Sequence, residues 1–191
     1  MAVALAAVLL ACAASAPAWP RIWKGSPREL ARDYVTISDA RANGEFVMLM
    51  WFVPAIVADA PGVATIKPLL NKYLIMSVIH AELDRTTGRF SFEDISTLEA
   101  KDQSGKPLTL IARSDLPPTV TAILALLETM FRQSAGAMGG GTRVFVFDPG
   151  GVNSCRPGGL AVLLAGETYT WQTPIPGCSA TNTGTAVWQR L

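Results

Sequence analysis

The apolar positions of this chain change period several times, and each change marks an expected element. Ser26-Pro27-Arg28-Glu29 has the form of a capping box with proline at the first helical position. Leu30, Tyr34 and Ile37 then recur on one face, predicting a helix that Asn43-Gly44 ends in a left-handed turn. EFVMLMWFV, residues 45–53, is apolar on both sides of a period-two repeat. Phe46, Met48, Met50 and Phe52 alternate there with Val47, Leu49, Trp51 and Val53, which predicts a central strand covered on both faces and stopped by Pro54. Ile66, Leu69, Leu70 and Tyr73 give a short helix within 63–72, and from Tyr73 the period returns to two.

The segment 73–84 reads as a long strand, followed by a turn at Arg85-Thr86-Thr87-Gly88 and a strand in RFSFED. ISTLEAKD and PLTLIAR read as two further strands joined by Gln103-Ser104-Gly105-Lys106. Asp115-Leu116-Pro117-Pro118 opens a helix to about Ser134, with Val120, Ile123, Leu124, Leu127, Met130 and Phe131 on one stripe. Gly136 to Gly141 ends it. Strands follow in TRVFVFD, LAVLL and TYTWQ, the last two forming a hairpin through Ala165-Gly166-Glu167.

The first eighteen residues carry no charged side chain and end in Ala16-Pro17-Ala18. This is the pattern of a secretory signal peptide over 1–18, with the exported chain starting at Trp19, in the periplasm or outside the cell. Leu9-Leu10-Ala11-Cys12 offers an alternative, a lipoprotein anchored through an acylated Cys12. Removing the signal leaves Cys155 and Cys178, and two cysteines in an oxidising compartment imply one structural disulfide. Residues 19–178 then form one globular domain, and 179–191 form a polar C-terminal tail.

Half of the residues are hydrophobic, 16% are charged and the net charge is +1, which is the composition of a folded protein. With both signs scattered and no basic stripe, nucleic acid is not an expected partner. No apolar run after residue 20 is long enough for a transmembrane span. An envelope protein or a small apolar ligand remain as partner classes.

The stretch 73–111, with its strand–turn–strand pattern and its Asp102-Gln103-Ser104-Gly105-Lys106 turn, resembles the core of uncharacterised exported bacterial immunoglobulin-like β-sandwich domains. The resemblance covers about a fifth of the chain. It implies a mainly β fold, an antiparallel immunoglobulin-like sandwich with two or three packed helices, and it brings no catalytic residues. The alternative is a compact α+β fold with helices on one face of an antiparallel sheet.

His80 is the only histidine, so every histidine-dependent mechanism passes through it. On a strand, His80, Glu82 and Asp84 share a face and could hold a metal or support a general base, as in a hydrolase or metal-dependent enzyme. A solvated strand end explains the same row, and alternate residues lie about 7 Å apart, too far for one ion without a further ligand. No GxSxG elbow accompanies the histidine. Met48, Met50, Met76, Met130 and Met138 invite a copper site but sit at core-like positions. Gly139-Gly140-Gly141-Thr142 lacks the lysine of a phosphate loop. Glu93-Asp94 is an exposed acidic pair. Tyr169 and Trp171 share a face and are ligand-surface candidates, with core burial as the competing reading. The expectation is an exported, non-enzymatic binding or envelope-interaction module without a cofactor.

Overall fold

A computed structural model describes residues 26–57 and 66–178. The signal segment, Cys12 and the 179–191 tail lie outside the described residues. The capping box forms in full. The Ser26 hydroxyl accepts from the Glu29 N–H at 3.3 Å, and the Glu29 carboxylate accepts from the Ser26 N–H at 2.6 Å. The helix it starts is nevertheless short: α1 spans Pro27–Leu30 and a π-helical turn continues over Ala31–Val35.

The expected helix to residue 43 is therefore corrected. Thr36–Ala40 is a strand, β1, paired antiparallel with β2, Glu45–Phe52. Val35, Thr36 and Ile37 are β-branched, and Asn43-Gly44 acts as the turn of a hairpin, not as a helix stop. Gly44 has φ +96°, and a Cβ there would stand 2.8 Å from the Leu83 carbonyl oxygen.

β3, Leu74–Asp84, pairs with β2 along one edge, so β2 lies inside the sheet as its two apolar faces predict. Its other edge is shared. β6, Arg143–Phe147, takes 74–78, and β4, Arg89–Phe92, takes 81–84. A second antiparallel sheet contains β5 (Glu99–Asp102), β7 (Gly158–Leu164) and β8 (Glu167–Thr173). The β7–β8 turn places Ala165 at φ 52° and Gly166 at φ 78°, the left-handed pair of a tight hairpin.

The architecture is mixed, with two antiparallel sheets in a sandwich-like arrangement and a few helices. Val47, Leu49 and Trp51 of β2 meet Leu160, Val162, Leu164, Tyr169 and Trp171 of the smaller sheet in one core. On the opposite face Phe52, Ile75 and Val146 pack against α2 (Ile66–Lys72) and α3 (Pro118–Ser134). The larger sheet is thus the middle layer, with the smaller sheet on one side and helices on the other.

Two expected strands are shorter or absent. Only Glu99–Asp102 of ISTLEAKD is strand, and PLTLIAR forms none. The reason lies in tertiary pairing. The Leu108 N–H donates to Ala100 at 2.8 Å in the smaller sheet, while the Ile111 N–H donates to Val146 at 2.8 Å in the larger. The strap crosses between sheets and completes a ladder with neither. In α3, Val120, Leu124 and Leu127 are buried as the stripe predicts, but Met130 is 55% exposed. The apolar arc of this helix is wider than the sheet beneath it.

Candidate functional site

The β1–β2 hairpin builds a polar cluster at one end of the inter-sheet core. Period-two alternation puts Asp39 of β1, Arg41 and Glu45 on the face that carries Val47 towards the smaller sheet. Val47 is paired with His80 of β3, which brings the imidazole beside Glu45. Tyr169 reaches the same point from β8.

The side chains of this cluster bond mainly to one another. His80 Nε2 lies 2.8 Å from Glu45 Oε1, with the two side chains 17% and 19% exposed. Arg41 Nη1 donates to Glu45 Oε2 at 2.7 Å, Arg41 Nε to Asp39 Oδ2 at 3.2 Å, and Arg41 Nη2 to the Tyr169 hydroxyl at 3.1 Å. The Tyr169 hydroxyl donates to Asp39 Oδ2 at 3.0 Å. The hydrogen bond from His80, followed by those from Arg41 and Asn43, holds the Glu45 carboxyl below its ordinary value. Bonds to Tyr169, Glu45 and Asp39 raise Arg41, and burial followed by the Asp39 bond raises the Tyr169 phenol. The cluster joins β1 and β2 of one sheet to β8 of the other and works as a clasp across the sandwich edge. Nearby, Trp171 Nε1 donates to the Val35 carbonyl at 3.3 Å, a second tie along the same edge.

Beside the clasp is an open hollow of about 200 Å³ lined by Asn43, Glu45, His80, Glu82 and Glu93. A carboxylate holding an imidazole next to open space has the form of an oriented base. Among the described residues no side chain lining it carries a hydroxyl or thiol.

The row read from the sequence does not converge. Glu82 lines the hollow with His80, but Asp84 caps its own turn, accepting from the Thr86 N–H at 2.8 Å and the Thr87 hydroxyl at 2.7 Å. Those bonds lower its carboxyl. Among the described residues no group of three or more His, Cys, Asp and Glu side chains is placed to hold a metal ion.

The other candidates separate as well. Glu93 lies at the hollow and its N–H donates to the His80 carbonyl at 3.0 Å, whereas Asp94 pairs with Arg143 at 3.5 Å. Met76 is fully buried, and Met48 and Met50 are half-buried in β2. Tyr169 and Trp171 are buried in the inter-sheet core. The Cys155 and Cys178 sulfurs are 2.03 Å apart, with the Cα atoms at 5.3 Å, and join the loop before β7 to the segment after β8.

Sequence reasoning missed Asp39 and Arg41 because 26–43 reads as a helix, and with them the partners that mark Glu45 at the start of the next strand. The available signal was Asn43-Gly44 between an alternating segment and a strongly β segment. Taken as a hairpin turn, it places all three residues on one face. No family model, no curated protein and no solved structure matches this chain.

Proposed function

We propose that this chain is an exported, non-enzymatic binding or envelope-interaction module, akin to the immunoglobulin-like sandwiches that 73–111 resembles. The observation that carries the reading is the outer flank of α3, where Leu126 and Met130, one turn apart, are 52% and 55% exposed. Two large apolar side chains adjoining half-buried Ile123 suit a partner surface better than a solvated helix face. The clasp supports the same reading, since Arg41, Glu45, Asp39 and Tyr169 bond to one another across the sheets. The absence, among the described residues, of a helix long and apolar enough to cross a membrane is compatible with it, as is the Cys155–Cys178 pair.

The test is site-specific photocrosslinking in the envelope of the expressing cell. A photoreactive side chain at Met130 is expected to give a saturable link to one partner, and Leu126→Asp should weaken it at least about fivefold. The same probe at Thr168, on the smaller sheet, is the control. Equal, unsaturable labelling from both positions refutes the surface.

The second reading is a hydrolase or metal-dependent enzyme using His80 with Glu82 and Asp84. What favours it is the His80–Glu45 pair at the rim of an open hollow. It requires a stoichiometric metal retained on dialysis, or ester hydrolysis, that His80→Ala abolishes.

A further inference from the structure

We propose that the cleft between α3 and the free edge of β6 binds a small amphiphile, an apolar body of about six to eight carbons with an anionic end. The inference rests on the binding-module reading and names a ligand class for it. The cleft exists because of the strap that crosses between the sheets. Ile111 is bonded to Val146, and Leu110 is bridged to Phe147, so the strap closes the C-terminal half of the β6 edge. It then turns away through a 3-10 turn at Arg113–Asp115, and among the described residues no strand pairs with the edge at Val144 and Phe145 beyond it. The space left is about 180 Å³.

Its lining is one-sided. Leu116 and Leu124 form the wall from the helical side, Val144 and Val146 the floor, and Leu110, 37% exposed, the lip. An apolar cavity of about 150 Å³ is enough to hold benzene, so this volume takes a chain of a few methylenes. Among the described residues the one charged residue lining it is Arg113, half exposed. Arg113 meets Glu128 of α3 through Nη2 alone, and the guanidinium fork can face a second carboxylate while keeping that pair. An apolar interior with a single cation at the opening is complementary to a short-chain carboxylate.

The probes are hexanoate, octanoate and 1-octanol, titrated into the oxidised full-length exported protein and followed by amide and methyl chemical shifts. Octanoate is expected to saturate at or below about 10 mM. It should perturb Ile111, Leu124 and Val144 together, and affinity should rise about fourfold per methylene from hexanoate to octanoate. Arg113→Gln should weaken octanoate about tenfold and change 1-octanol by less than about twofold. Leu110→Glu, at a side chain 37% exposed, should weaken both with the melting temperature kept within about 5 °C of the parent. Shifts centred on Leu126 and Met130, no saturation, or equal loss of both probes in Arg113→Gln each overturn the proposal. If octanoate fails while crosslinking at Met130 persists, the cleft alone is removed; if both fail, the binding-module reading goes with it.

Discussion

Tyr169→Phe isolates the clasp with little change in packing. The ring sits in the inter-sheet core and phenylalanine refills it, so the loss is confined to two hydrogen bonds, one from Arg41 at 3.1 Å and one to Asp39 at 3.0 Å. Hydrogen bonds to charged groups contribute about 1.5–3 kcal/mol each when their partners stay buried. Here both partners are part-exposed, keep a direct contact at 3.2 Å and regain water when the hydroxyl goes. The expected cost is about 1–2 kcal/mol in total, near the low end for one such bond. For a chain of this size that lowers Tm by about 3–7 °C. Urea denaturation of the oxidised protein, with m unchanged, is the assay. A double-mutant cycle with Arg41→Met should return a coupling of about 0.5–1.5 kcal/mol, because the two side chains share one bond. A loss below about 0.3 kcal/mol, or zero coupling, would show that the sheets are held by the apolar core alone and that the clasp is decoration.

Non-reducing peptide mapping should recover Cys155 and Cys178 in one linked species, and Cys155→Ala with Cys178→Ala should cost about 3 kcal/mol by loop entropy. Free thiols in protein isolated without reductant would remove that staple. The Glu45, Asp84 and Asp102 carboxyls are all lowered, by His80, Thr87 and Ser104 first among their partners. Their stabilisation is complete above the unfolded values, 4.5 for Glu45 and 3.8 for the aspartates, and is lost as pH falls through the depressed folded values. Stability should therefore fall from about pH 4.5 downward, with Glu45→Gln flattening the upper part of that limb, and a curve flat to pH 3 contradicts the assignment. Gly139→Ala should destabilise by about 2 kcal/mol or more, since a Cβ there overlaps the Arg132 backbone carbonyl. A melting temperature equal to that of the parent would mean the glycine turn relaxes freely.

Much of the fold follows from local pattern. Alternation with apolar residues on both sides made β2 an interior strand wherever it paired, because either exposed face would leave large side chains in water. The capping box fixed where α1 begins, and the helical stripe fixed which side of α3 faces inward. Ala165-Gly166 fixed the β7–β8 hairpin, since few sequences tolerate two left-handed residues in succession. What local pattern left open depended on partners distant in sequence. Val35-Thr36-Ile37 suits a helix face or a strand equally, and the neighbouring β2 decided for strand. The 107–113 strap has strand composition, yet it bonds to Ala100 at one end and Val146 at the other, and only the spacing of two sheets determines that it belongs to neither. The same holds for the candidate sites. His80 is visible as the single histidine, but Glu45 lies 35 residues before it and Tyr169 lies 128 residues after Arg41, so their meeting is a matter of register and sheet packing. The sequence determined which side chains were available, through composition and period; the tertiary structure decided which of them touch, because contact between distant segments is set by how the layers bury their shared faces.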